Sequence, residues 1–307
     1  MPVIGSDSEI LKQYLGSNNQ GKIYFGSDLV QSGTFQYVNA TGGTITYDGN
    51  YKIHTFTEDG TFEITQLSTD GYNGIDQILV VAGGGKGGAE GSISGLGPYT
   101  GGGGGAGGLI HITSSDNYAL SIGTYDISVG AGGTDAASTG SNSHLTGSGV
   151  NLTALGGGGA GNAINKVPQA GGSGGGQTGG KQVASCGVAA PGANGIQPDQ
   201  SGDSGTYGFG NDGGAATNCQ TQGSAPFSSH YMTGGGGGGA GSAGSGTTGG
   251  SGKTINITGT NVTYAAGGNA ADDSTKTGYG DGGNGASATS GKNGNAGIVI
   301  IRYQYKD

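Results

Sequence analysis

Runs of consecutive glycine decide what this chain can fold into. Residues 101–105 and 234–239 are unbroken glycine, and shorter runs occupy 83–85 and 156–159. Two states accommodate such runs. One is a flexible glycine/serine linker. The other is an extended left-handed threefold helix of the polyproline II type, which rises about 3.1 Å per residue and forms no internal hydrogen bonds. In that second state neighbouring runs must supply one another's donors and acceptors, and only glycine lets them approach closely on every side. Ordering glycine rather than alanine costs roughly 0.5–1 kcal/mol per residue, or about 3–6 kcal/mol for residues 234–239. Hydrogen bonds between runs, at about 1 kcal/mol each, offset that cost only if many runs pack together.

Placement favours the ordered state. The apolar stretch 75–82 runs straight into glycines 83–85, and residues 101–108 lead into 109–112. Likewise 125–129 precedes 130–133, and 150–155 precedes 156–159. A linker has no reason to begin where strands end. Collagen is excluded, because its triple helix needs glycine at every third position and the long runs break that period.

Glycine supplies 78 of the 307 residues, and Ile, Val, Leu and Phe together supply only 49, too few for one hydrophobic core of ordinary density. The net charge of −9 is too small to force disorder by self-repulsion. With an acidic pI and no basic run, the chain has little with which to neutralise nucleic-acid phosphates. No window reaches 18 apolar residues, so no membrane-inserting helix is expected. The start MPVIGSDSEI has neither a basic n-region nor an apolar h-region, so synthesis in a cytoplasm is expected. There Cys186 and Cys219 should emerge as thiols, with a disulfide as the alternative.

The spacing predicts a mainly β protein. Residues 7–14 form the one candidate helix. Residues 22–30 and 33–38 read as strands, and residues 1–43 as a small N-terminal module for attachment or oligomerisation. Residues 44–307 read as a glycine-rich β domain with glycine-helix insertions at about 83–108 and 156–251. Within it, stretches 44–47, 51–56 and 61–64 are separated by Asp48-Gly49 and Asp59-Gly60, pairs that favour tight turns, and so predict two successive hairpins. Stretch 75–82, apolar but for Asp76 and Gln77, reads as a strand buried on both faces. Further strands are expected at 254–258, 261–265 and 297–303.

The ordered series His54-Thr-Phe-Thr-Glu-Asp-Gly-Thr-Phe62, Ile78-Leu-Val-Val-Ala-Gly-Gly-Gly85, the run 101–108, Ile127-Ser-Val-Gly-Ala-Gly-Gly133, Ala154-Leu-Gly-Gly-Gly-Gly-Ala-Gly161 and Gly297-Ile-Val-Ile-Ile301 resembles the glycine-rich domains of bacteriophage structural and tail-fibre proteins. A similar grammar occurs in the extracellular glycine-rich region of anaplastic lymphoma kinase. The resemblance implies a jelly-roll-like antiparallel β scaffold carrying a bundle of polyglycine-II helices. It also implies a non-enzymatic virion protein on the particle exterior, with a tail-fibre adhesin as the first expectation. A capsid-decoration or head-fibre role is the alternative. Expected partners are other virion proteins through the N-terminal module, a host-surface glycan or protein, and further copies of the chain, a trimer being favoured.

Residue motifs for chemistry are sparse. Gly252-Lys-Thr254 has the ending of a phosphate-binding loop without its leading glycine or strand. Residues 171–175 match a nucleophile elbow without the flanking strand and helix. His54, His111, His144 and His230 stand apart, and His54 and His111 are expected at cross-strand surface positions. Asp272, Asp273 and Asp281, or Asp203 with Asp212, could offer oxygen to calcium, but solvated loop carboxylates are the expectation. No catalytic residue, metal or cofactor is therefore predicted. What remains is recognition: Tyr99, Tyr207, Phe209, Phe227, His230, Tyr231 and Tyr279 lie in loops between glycine runs, where tyrosine with Ser, Gly and Asn makes binding surfaces. The competing reading wedges these rings against the ends of the glycine bundle.

Overall fold

A computed structural model describes residues 22–25, 28–32, 36–69, 75–93, 97–161, 167–179, 190–222, 229–288 and 290–306. The expected helix at 7–14 lies outside them. The fold is mainly β. One six-stranded sheet has the order β14 (Gly208–Phe209), β10 (Leu109–Thr113), β7 (Ile75–Val81), β19 (Ile298–Gln304), β5 (Tyr51–Phe56), β4 (Thr44–Asp48). A five-stranded sheet has the order β13 (Val150–Ala154), β12 (Ser143–Gly147), β11 (Gly123–Ser128), β6 (Gly60–Gln66), β3 (Asn39–Thr41). All pairings within both sheets are antiparallel. Expected strand 22–30 is instead the hairpin of β1 (Lys22–Phe25) and β2 (Asp28–Ser32), and residues 36–38 of the expected strand 33–38 are not strand.

The two sheets face each other across one apolar layer. Phe62, Ile64, Tyr125, Ile127, Leu145 and Leu152 meet Phe56, Ile78, Val80, Ile112, Val299 and Ile301 there. The other face of the six-stranded sheet is also covered. Ile53, Leu79, Val81, Leu109, Ile298 and Ile300 pack under Ile255, Ile257 and Tyr264 of the ribbon formed by β17 (Lys253–Ile255) and β18 (Val262–Tyr264). Burial on both faces is why residues 78–81 of β7 and 298–301 of β19 read as unbroken apolar runs. Arg302 pins that ribbon to the sheet: it bonds Asp76 and Asp48 at 2.8 Å and donates to the Ile257 carbonyl at 3.2 Å.

Of the two expected hairpins, only β4–β5 forms. Strand β5 already has β4 on one side and β19 on the other, so β6 has no free edge to join and crosses to the second sheet. Asp59 serves that crossing by accepting the Val129 N–H at 2.8 Å. His54 also departs from expectation. It is fully buried, with Nδ1–H donating to the Gly42 carbonyl at 2.6 Å and Nε2 accepting the Tyr303 hydroxyl at 3.0 Å. His111 is half-buried and bonds Gln77 at 3.1 Å.

The glycine runs are ordered and bonded to one another. Along residues 82–88 the backbone donors point in turn to three neighbours, with a period of three. Ala82, Gly85 and Gly88 donate to Gly108, Gly105 and Gly102. Gly83 and Lys86 donate to Ser141 and Ser138, and Gly84 and Gly87 to Asn295 and Lys292. Thread 101–108 is central. It donates to Ala286, Gly283 and Gly280, to Gly235 and Gly238, and to Gly158 and Leu155. It accepts from the 82–88 thread, from Ser173 and Gly176, and from Gly268 and Ala271. Six segments thus surround it, three taking its donors and three using its carbonyls.

Such packing leaves no room for a Cβ. One built on Gly103 lies 1.9 Å from the Gly268 carbonyl oxygen, and one on Gly104 lies 2.2 Å from that of Gly85. The methyl of Ala106 is accommodated because it joins Leu109, Ala240 and Ala265 in the apolar layer under the ribbon. Gly103→Ala should therefore destabilise the protein by about 3 kcal/mol or more, as overpacking that backbone cannot relieve. Ala106→Gly, losing one buried methyl and gaining chain entropy, should cost about 1 kcal/mol. Denaturant unfolding of both variants distinguishes them; equal, small losses would mean the threads are not closely packed.

Burial also drives the His54 pKa from 6.5 down to about 4. Between those values the unfolded chain binds a proton that the folded chain refuses, so stability should fall as pH drops from about 6.5 to about 4. The loss should reach about 3 kcal/mol. His111, also lowered by burial, acts in the same direction. Urea midpoints across that range should slope less in His54→Gln than in the native chain, and identical slopes would exclude His54 as the source.

Candidate recognition surface

The glycine bundle has two unlike ends. At one end its threads continue into sandwich strands: Ala82 follows β7, Gly108 precedes β10, Leu155 follows β13 and Gly297 precedes β19. At the other end they continue into a separate four-stranded sheet of order β15 (Thr217–Gln222), β16 (Ser229–Thr233), β9 (Gly97–Tyr99), β8 (Gly91–Ile93). Two antiparallel hairpins make this distal sheet, joined by a parallel pairing of Met232 with Tyr99. β9 feeds the central thread and β16 feeds the thread 234–241, so a rigid lattice fixes the roots of both hairpins.

Buried polar groups close the lattice beneath this sheet. Thr100 is 2% exposed; its hydroxyl accepts the Gly234 N–H at 3.0 Å and its carbonyl accepts the Gly179 N–H at 3.1 Å. The Thr178 hydroxyl donates to the Gly161 carbonyl, and Gln177 accepts the Thr178 N–H at 3.2 Å. Tyr99 is 5% exposed and its ring covers Gly91, where an added Cβ would lie 2.2 Å from the phenol oxygen. Desolvation raises the Tyr99 pKa. Tyr99 thus lays its ring across its own register partner in the β8–β9 hairpin.

The seven aromatic candidates divide between the two ends. Tyr99, His230 and Tyr231 belong to the distal sheet, by way of β9 and β16. Phe227, in the connection between β15 and β16, lies outside the described residues. Tyr207, Phe209 and Tyr279 are sandwich-proximal. Tyr207 sits edge-on to Tyr118 with centroids 5.9 Å apart and packs on the main apolar layer. Phe209 pairs with Leu109 at the sheet edge and carries the Lys253 ammonium 3.6 Å above its ring. Tyr279 is 41% exposed in the turn whose carbonyl accepts the Ala265 N–H at 2.9 Å. Sequence order alone could not sort the seven, because the bundle folds back on itself between them.

The other motifs are occupied structurally. Lys253, in the phosphate-loop-like Gly252-Lys-Thr254, is spent on the Phe209 ring. Ser173, in the elbow-like stretch, is fully buried within the lattice. Asp281 is 7% exposed and accepts the Ala266 and Gly278 N–H groups at 2.8 and 3.0 Å, with burial raising its pKa. Asp272 bonds Asn269 and Ser274, which lower its pKa; Asp273 accepts the Ser287 hydroxyl, and Asp212 accepts the Gly195 N–H. These carboxylates satisfy thread and turn donors. Among the described residues no three of His, Cys, Asp and Glu come together to hold a metal ion. Cys186 lies outside the described residues.

Exposed apolar groups that the sequence did not mark are Ile45 and Tyr47 on β4, 40% and 60% exposed, together with Ile122 and Val167. Strand β4 is a sheet edge, which no local signal in Thr-Ile-Thr-Tyr-Asp announces. A comparison with curated proteins finds no match. A family model described as a glycine-rich domain matches residues 56–304, covering both sheets from the end of β5 onward and all the bonded threads. That match spans most of the chain, and with the strand-then-glycine order now seen as one bonded lattice, the protein belongs to the glycine-rich domain family.

Proposed function

We propose that this chain is a non-enzymatic bacteriophage virion protein displayed on the particle exterior, a tail-fibre or receptor-binding component that contacts the host surface. One observation carries the reading: a six-neighbour backbone lattice holds a small sheet at the end of the molecule away from the β sandwich. In this reading the sandwich is a jelly-roll-like scaffold, and the threads are polyglycine-II helices, whose threefold period matches the three-residue repeat of the hydrogen bonds. The lattice serves as a stalk stiff enough to present loops without losing affinity to their motion. The distal hairpins, with Phe227, His230 and Tyr231 on the β15–β16 side, are the receptor-facing group. The host ligand is a surface glycan or protein. Residues 1–43 attach the chain to other virion proteins and assemble it into a homo-oligomer, a trimer in this reading.

Support comes from the strand-then-glycine resemblance to phage fibre domains and from how the described polar groups are used. Asp281, Asp273 and the Ser173 hydroxyl are engaged or enclosed in the lattice. Fluorescently labelled protein should bind cells of the host bacterium saturably. Phe227→Ala with Tyr231→Ala should lower that binding at least about tenfold, the equivalent of about 1.4 kcal/mol, at an unchanged thermal midpoint. Tyr207→Ala should leave binding intact while lowering the midpoint. Full binding by the double variant would remove the distal sheet from the receptor surface.

A further inference from the structure

The two facing sheets of the sandwich end in four edges, and three of them are protected. β14 is two residues long. β3 is three residues long and shifts register between Asn39 and Ala40. β13 is covered by side chains: Ser204 accepts the Thr153 N–H at 2.9 Å, Gln197 accepts the Leu155 N–H at 2.7 Å, and the Gln197 amide donates to the Thr153 carbonyl at 3.2 Å. Short strands, bulges and covering groups are the ordinary means of blunting an edge.

Among the described residues, β4 has none of them. It is five residues long, pairs with β5 in unbroken register, and leaves residues 44–47 exposed. Its turn contains two residues, Gly49 and Asn50, with Gly49 at φ +57°, so Asp48 and Tyr51 form the hydrogen-bonded pair beside it. Alternation then directs the N–H and C=O groups of Thr44, Thr46 and Asp48 toward β5, and those of Ile45 and Tyr47 outward. Ile45 and Tyr47 are also the two large apolar side chains exposed on the strand. Backbone and side chain together make a strand-addition site.

A five-residue edge is too small to hold a separate molecule alone, since stable interfaces bury well over 1,000 Å² in total, by about 800 Å² per partner. A tethered segment needs far less, because its effective concentration is high. The chain supplies one. The β1–β2 hairpin pairs only with itself among the described strands, and an isolated two-stranded hairpin is at best marginally stable in water. Its β2 ends at Ser32, seven residues before β3 starts at Asn39, on the same side of the sandwich as β4. Seven residues span up to roughly 23 Å, and facing sheets lie about 10 Å apart. The tether reaches.

We propose that β2 of the same chain adds to the open edge of β4, extending the six-stranded sheet by the β1–β2 hairpin. The new outer strand is then β1, four residues long and led by Lys22, a short and charged edge. This concerns the fold and stands whether or not the chain is a virion component. Residue-resolved hydrogen exchange on the full chain tests it. Docking predicts that the Ile45 and Tyr47 amides exchange slowly, like those of Thr44 and Thr46, at every protein concentration. In Leu29→Pro they should exchange at least roughly tenfold faster while Thr44 and Thr46 keep their protection. Fast exchange at Ile45 and Tyr47 in the native chain would overturn the proposal. So would protection that grows with protein concentration, which would assign the edge to a second copy, or protection that survives Leu29→Pro.

Discussion

Hydrogen bonding between glycine threads sets the terms for the rest of the molecule. The amides of these threads donate to other segments, so each depends on another thread at the right height and direction. The period of three along residues 82–88 and the six segments around residues 101–108 are the outcome of meeting that demand on all sides. At most thread positions backbones this close exclude a Cβ, which is why the threads are so rich in glycine. The stabilisation that an ordinary domain draws from burying Leu, Ile and Phe is here partly replaced by dense backbone pairing, against the large entropy of ordering glycine.

The lattice is not self-sufficient. Four of its threads adjoin sandwich strands, so the register of β7, β10, β13 and β19 fixes the height at which those threads enter. Where threads meet the six-stranded sheet, Ala106, Ala240 and Ala265 replace glycine and join Ile53, Leu79 and Ile298 in one apolar layer. Elsewhere polar side chains patch the donors that threads leave over. Asn284 accepts from Asn269 and donates to Ser274, and Gln197 serves both Leu155 and Thr153. Such buried amides have few tolerable replacements, since an unmatched donor or acceptor inside the lattice would keep its full desolvation penalty.

This construction separates two roles along one axis. The sandwich, with its two apolar layers, provides the cooperative core, and the lattice carries order outward to the distal sheet. A sheet of two short hairpins is marginal in isolation. Rooted in Thr100, Gln177 and Thr178, it inherits stability from the threads below.

Much of this was legible in the chain. The glycine runs demanded either disorder or mutual packing, and their position after strands pointed to packing. The continuous apolar stretches of β7 and β19 announced strands buried twice, because periodicity reports how many faces are covered. Other features depended on partners distant in sequence. Asp59-Gly60 signals a turn, but whether the next strand pairs locally depends on whether β5 has a free edge, and β19, more than 240 residues later, takes it. His54 carries no local mark of burial, since Gly42, Phe62 and Tyr303 enclose it from three separate segments. The aromatic candidates looked alike in sequence and came to lie at opposite ends, because the direction of each thread in the lattice is set by its neighbours. The sequence by itself thus determined the local currency of the fold, which backbone could approach closely and which side chains needed burial. Only the tertiary structure decided which thread lies beside which, and therefore where edges and surfaces remain, because those outcomes rest on hydrogen bonds between segments that no local pattern connects.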